Sequence, residues 1–244
     1  MFFLVFKYLS TIPFLILLTS LTTSFAMGLR KNPKLPTSCI GPEDAKHFLI
    51  YLHGMDIPEL YPREKLNRKV LSQLAEKLNI RIALPRAKED CPDSFREKCW
   101  VWKYSPEEVT NLLPKILESR THCFSKDSPY GIMGYSNGGY VLNHWYRTGC
   151  AHHQKNVTGP SWLLAVGSLG GNPDEIVDPP SSWNCPPTQF AIGNDDRENY
   201  KPQVLNRLTQ LNGPMKDPIF FQGEHELEPA VLENAIREMI AAEQ

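Results

Sequence analysis

Tyr130-Gly131-Ile132-Met133-Gly134-Tyr135-Ser136-Asn137-Gly138-Gly139 is a short apolar strand pattern that runs through Gly-x-Ser-x-Gly into a helical pattern. A serine hydroxyl reacts as a nucleophile when it stands clear of its neighbours and beside a base, and a sharp strand-to-helix turn presents it that way. Gly134 and Gly138 flank Ser136 where a larger side chain would crowd the turn, and Gly139 leaves the helix room to pack on a sheet. A helix start also offers backbone N–H groups without intrahelical partners. Asn137, directly after Ser136, is therefore a candidate donor to a developing oxyanion. The short motif is a weak signal by itself, so its reading depends on the surrounding chain.

Upstream, His47-Phe48-Leu49-Ile50-Tyr51-Leu52 is a continuous apolar run, as a strand buried on both faces should be, and it ends in His53-Gly54-Met55-Asp56. The backbone N–H of Met55 is the expected second oxyanion donor, with the His53 ring bonding backbone to order the turn. Leu66, Val70, Leu71, Leu74 and Leu78 recur at helical spacing, and Arg81-Ile82-Ala83-Leu84-Pro85 reads as the next strand. The loop that follows carries Cys99-Trp100-Val101-Trp102, and Trp100 and Trp102 are candidate substrate-binding residues on a cleft wall, the alternative being that both pack beneath the loop. Ser105-Pro106-Glu107-Glu108 is a capping box that opens a helix which Pro114 should kink or interrupt.

Downstream, a helix over 137–149 is followed by the apolar strand Trp162-Leu163-Leu164-Ala165-Val166. A Pro-rich loop without helical periodicity comes next, so no helical lid is expected. Gln189-Phe190-Ala191-Ile192-Gly193 and the run from Lys216 to Gly223 are the last strands, with helices near 197–211 and 229–242. Strands alternating with helices imply a mostly parallel sheet covered on both faces, whose active residues gather at the carboxyl ends of strands. Ser136, Asp196 and His225 all sit there. His225 is the candidate base, and Asp196 the carboxylate that orients it, with Asp195 and then Asp178 as alternatives. His144 reads as a packed helix residue and His152-His153 as a polar loop pair.

Residues 1–26 read as a signal peptide, with an uncleaved N-terminal anchor as the alternative: Lys7 is the only charge, an apolar core follows, and Ser24-Phe25-Ala26 ends in small residues. Residues 27–244 would then be one secreted or periplasmic domain. The 41% apolar and 22% charged composition is that of an ordinary globular chain. Its net charge of −1 offers no footprint for nucleic acid, and no membrane contact is expected beyond the export signal. All six cysteines follow the leader, as disulfides in an exported chain would. The pairings expected are Cys91 with Cys99 and Cys123 with Cys150. The sequon Asn156-Val157-Thr158 matters only in a glycosylating host.

From Phe48 to Ile240 the chain resembles the α/β-hydrolase superfamily. Gly134-Tyr135-Ser136-Asn137-Gly138 looks like its nucleophile elbow, Gly193-Asn194-Asp195-Asp196 like its acid turn, and Gly223-Glu224-His225 like its histidine loop. The Cys99-Trp100-Val101-Trp102 run is similar to secreted esterases of the poly(hydroxyalkanoate) depolymerase and feruloyl esterase kind. The resemblance implies a serine hydrolase acting on small-molecule or polymeric esters through an acyl-enzyme, with no metal or cofactor required. A non-catalytic binding protein and a serine peptidase on the same fold are the rival readings.

Overall fold

Alternate residues of one strand feed two separate cores. In the computed structural model, which describes residues 35–57, 62–90, 98–150, 159–172 and 183–242, strand β2 (His47–Leu52) turns Ile50 and Leu52 to one face of a sheet and Leu49 and Tyr51 to the other. All four are fully buried. That is the reason for the unbroken apolar run: both faces of a parallel sheet are covered, so no position alternates to solvent.

Among the described residues the sheet has seven strands in the order β1-β3-β2-β4-β5-β6-β7. β1 is Thr37–Ile40, β3 Ile80–Pro85, β4 Gly131–Tyr135, β5 Trp162–Val166, β6 Thr188–Gly193 and β7 Ile219–Phe221. Six strands run parallel, with registers such as Leu49 opposite Gly131 and Ile132 opposite Leu163. β1 alone is antiparallel, pairing Thr37 with Pro85 and Ile40 with Ile82. Helices α1 (Arg63–Leu78) and α5 (Pro229–Ala241) cover the face that carries Leu49 and Tyr51, through Leu71, Leu74, Leu232 and Ile236. Helices α2 (Pro106–Ser119), α3 (Asn137–Arg147) and α4 (Pro202–Gln210) cover the other, through Ile116, Val141, Trp145 and Leu208.

Local signals explain most boundaries. The Ser105 hydroxyl accepts the Glu108 N–H while the Glu108 carboxylate takes the Ser105 N–H, the reciprocal capping box expected at α2. Pro114 neither ends nor splits that helix. It lies on the exposed side, where the carbonyl its ring leaves unpaired can meet water. β1 has no counterpart in the sequence reading, because Thr37-Ser38-Cys39-Ile40 is a half-buried edge strand without an apolar pattern. α4 starts later than expected, at Pro202, after a turn.

The expected Cys123–Cys150 bridge is not formed. Cys39 of β1 pairs with Cys123, and Cys150 with Cys185. The added edge strand brings Cys39 beside the 3-10 turn Arg120–His122, whereas Cys150 ends the α3 turn next to the chain entering β6, where the Asn184 N–H donates to the Gly149 carbonyl. Cys99 is disulfide-bonded, and its expected partner Cys91 lies outside the described residues. So do the expected signal peptide, Asp178, His152-His153, the sequon and residues 173–182 of the loop expected to lack a lid.

Candidate active site

Ser136 stands between β4 and α3 with φ 52° and ψ −117°, a conformation in which L-residues are strained. The flanking glycines make that turn possible by close approach. A Cβ on Gly134 would lie 2.3 Å from the Gly138 carbonyl oxygen, and one on Gly138 would lie 2.2 Å from that of Leu52. The helix thus starts directly against β2 and β4. Ser136 is fixed further by its N–H, which donates to the Val166 carbonyl at 2.8 Å, and by its carbonyl, which accepts the Tyr140 N–H at 2.9 Å.

The loop after β2 comes against this turn. A Cβ on Gly54 would meet the Tyr135 ring at 3.0 Å and the Ser136 Cβ at 3.2 Å. His53 shapes the loop as expected: its Nε2 accepts the Ala87 N–H at 3.0 Å and its Nδ1 bonds the Gly54 carbonyl. Burial pushes its pKa down to about 4, with the Gly54 bond opposing, so the ring is neutral. Met55 follows and is among the exposed large apolar residues.

Trp102 joins the loop to the elbow. Its indole N–H donates to the His53 carbonyl at 2.9 Å, its backbone N–H donates to Asn137 Oδ1 at 2.6 Å, and its carbonyl accepts from Asn137 Nδ2 at 3.0 Å. The two tryptophans therefore part company. Trp102 is only 2% exposed, yet it walls a cavity of about 910 Å³ together with Met55, Val101, Tyr104, Asn137 and His144. Trp100 does not line that cavity: it lies under the Arg86 guanidinium, 3.5 Å from the ring centroid, and pairs with Asp56 and Glu89. Of the two tryptophans expected on a cleft wall, Trp102 lines this cavity and Trp100 packs against Arg86. The neighbours of this segment draw the indole against Arg86, and no sequence pattern encodes that.

At the ends of β6 and β7, His225 Nδ1 lies 2.6 Å from Asp196 Oδ2. Asp196 is 4% exposed. Burial by itself would raise its pKa, but donation from His225 and Asn199 outweighs burial and holds the carboxyl below the ordinary aspartate value. Asp195 turns elsewhere, accepting from Gln222 Nε2 at 2.8 Å. Gly167, after β5, has φ +61°, and a Cβ there would press on the imidazole at 2.7 Å. Asn199 and Gly167 were not foreseen. Ser136, Asp196 and His225 share the carboxyl edge of neighbouring parallel strands.

Among the described residues no three His, Cys, Asp or Glu side chains come together as a metal site, and no helix is long and apolar enough to cross a membrane. No protein-family model and no curated protein matches the chain. Solved structures do. Esterase PE8 is similar with a TM-score of 0.57 at 15% identity, over 85% of this chain and 100% of its own. The Zea mays acyl-protein thioesterase 2 reaches 0.60 at 15% identity, over 85% and 98%. The Bacillus cereus carboxylesterase reaches 0.54 at 15% identity, over 86% and 96%. This chain has the α/β-hydrolase fold.

Proposed function

We propose that the protein is a serine hydrolase that cleaves carboxylic esters through an acyl-enzyme. The observation that supports this most is the 2.6 Å His225–Asp196 contact at the same sheet edge as the strained Ser136. Ser136 Oγ attacks the ester carbonyl carbon while His225 Nε2 takes its proton, and Asp196 holds the imidazole with Nδ1 protonated. The tetrahedral oxyanion is received by the backbone N–H groups of Asn137 and Met55. It collapses by breaking the bond to the alcohol oxygen, which leaves with the proton from His225. Water, deprotonated by His225, then attacks the acyl-enzyme, releasing the acid and restoring the serine. Every proton in this cycle is carried by His225, and no electrons are exchanged with a cofactor.

The cavity lined by Met55, Trp102, Tyr104 and Asn137 adjoins the oxyanion residues, so one sizeable substituent of the ester carbonyl lies there, with Asp90, Lys103, Glu108 and Arg147 also on its walls. Tyr104 stacks on Tyr140 at 5.5 Å and packs on His144 at 5.3 Å, giving that wall an aromatic surface. Burial pushes the pKa of His144 down to about 4, and Arg147 adds to the shift, so the histidine adds no charge at neutral pH. Residues 1–26 act as an export signal in this reading, and the Cys39–Cys123 and Cys150–Cys185 bonds fit an oxidising compartment.

A fluorescent fluorophosphonate applied to the wild type and to Ser136→Ala, alongside hydrolysis of short- to long-chain acyl esters and short peptides, tests the proposal. Labelling and ester turnover by the wild type alone are expected. A folded wild type that neither labels nor hydrolyses points to a binding protein, and dominant peptide turnover to a peptidase.

A further inference from the structure

His225 is carried by the segment between β7 and α5, which has no helix or strand of its own. Its backbone is nevertheless fixed from two sides. The Tyr135 hydroxyl donates to the His225 carbonyl at 2.8 Å, and the Arg63 guanidinium donates to the same oxygen at 2.7 Å. Two donors occupy both lone pairs of one loop carbonyl. Tyr135 is also the residue directly before Ser136, and its ring stacks on the His225 imidazole with centroids 5.0 Å apart and planes 28° from parallel. Burial raises the Tyr135 phenol well above the ordinary tyrosine range, so the hydroxyl keeps its proton and stays a donor.

We infer that Tyr135, assisted by Arg63, is a positioning residue that ties the His225 loop to the nucleophile strand and holds the imidazole through the proton transfers. The inference rests on the reading of Ser136 and His225 as nucleophile and base. Its physical content goes beyond tethering. The face of an aromatic ring attracts a cation, so the stack strengthens when His225 becomes imidazolium in the transition state and is weaker in the ground state. An interaction of that kind raises kcat and leaves KM nearly unchanged. The two donors back each other up in part, since either one alone still restrains the carbonyl, though less tightly than both together.

The test uses the full chain, with Tyr135→Phe, Tyr135→Leu, Arg63→Gln, Arg63→Lys and the Tyr135→Phe/Arg63→Gln pair, each checked by thermal melting and assayed on one ester. Tyr135→Phe and Arg63→Gln are each expected to lower kcat roughly threefold to tenfold, as loss of one of the two hydrogen bonds to the His225 carbonyl would, with KM within about twofold. The pair should lose more than the product of the two single effects. Tyr135→Leu should fall below Tyr135→Phe because it also loses the stacked ring, and Arg63→Lys should recover most of the loss seen with Gln. A pair that keeps the wild-type kcat, or one that moves KM alone, overturns the role. If the Tyr135 variants do not fold, Arg63→Gln decides it: Arg63 is exposed, and an unchanged kcat there sinks the two-donor anchor. Fluorophosphonate labelling of the wild type separates the failures. A wild type that does not label removes the nucleophile reading and this role with it, whereas a labelling wild type with unaffected variants removes this role alone.

Discussion

Asn199 donates twice to the same oxygen of Asp196, its side-chain amide at 2.9 Å and its backbone N–H at 3.2 Å, leaving the other carboxylate oxygen to His225. Asn199 is itself held, since its Oδ1 accepts the Tyr140 hydroxyl at 3.3 Å. The carboxylate therefore cannot rotate away from the imidazole without breaking bonds on its far side. Asp196→Asn should lower kcat by roughly a thousandfold or more, because an amide can present an N–H where the imidazole needs an acceptor. Asn199→Ala keeps the charge and loses only the side-chain support, so a drop of roughly tenfold is expected. Steady-state kinetics on one ester checks both, and an Asp196→Asn enzyme with full turnover would remove Asp196 from the mechanism.

The Asn137 side chain spans the backbone of Trp102, and Trp102 in turn holds the His53 carbonyl. These bonds are buried, so losing a partner leaves polar groups with no water to replace it. Asn137→Ala strands both the N–H and the carbonyl of Trp102 and should cost about 3 kcal/mol of stability. Trp102→Phe keeps most of the packing but strands the His53 carbonyl, at about 1–3 kcal/mol. Urea unfolding measures both. Stability unchanged in the two variants would show that the clamp carries no energy.

Elements buried on both faces were legible because burial wrote apolar runs into them, as in Leu49-Ile50-Tyr51-Leu52. The elbow was legible for a steric reason: Gly134 and Gly138 have no room for a side chain. β1 left no trace, since a half-buried edge strand needs neither alternation nor an apolar run. Missing β1 hid the partner of Cys123, and the disulfide expectation failed with it. Asn199 is one polar residue in a turn, with no period to expose it. Trp100 and Trp102 look equivalent in sequence, yet one lies on Arg86 and the other hydrogen-bonds His53. Which side of a loop an aromatic residue faces is decided by tertiary neighbours alone.

His53 makes stability depend on pH. Its pKa falls from 6.5 to about 4 on folding, chiefly by burial, with Arg68 and Arg86 adding to the shift against the Gly54 bond. Between these values the unfolded chain binds a proton that the folded chain refuses, so stability is complete above pH 6.5 and lost as pH falls towards 4, by up to about 3 kcal/mol. Glu64 acts in the opposite sense. Burial raises its pKa from 4.5 to about 7 against the pull of Arg68 and Tyr51, so the folded chain loses stability as pH rises through that window. His144 shares the direction of His53, as does the lowered Asp196 below the ordinary carboxylate range, and the acid loss should dominate. Urea unfolding from pH 6.5 down to 4.5 should show falling stability, more steeply in Glu64→Gln. A flat profile in the wild type would contradict the neutral, buried His53.

The two described disulfides should separate under graded reduction. Cys39 and Cys123 are both half-buried at the sheet edge, whereas in the second pair Cys185 is half-buried and Cys150, just past the end of α3, is fully buried. A reducing thiol must reach a sulfur to attack it, so Cys39 and Cys123 should be alkylated first by mass-spectrometric mapping. The thermodynamic effects need not follow that order of access. Closing a loop across 84 residues restricts the unfolded chain slightly more than closing one across 35, by roughly 4.5 against roughly 4 kcal/mol in the chain-entropy picture. Cys39→Ser/Cys123→Ser frees a four-residue strand that pairs only with β3, far along the sheet from β6 and β7. That variant should lose about 2–4 kcal/mol by denaturant unfolding. Its kcat should stay near the wild-type value at a temperature where it is folded. Cys150→Ser/Cys185→Ser loosens the end of α3, the helix that directly follows Ser136, and should lower stability and kcat together. Loss of activity confined to the Cys39 variant would reverse this assignment of edge and core.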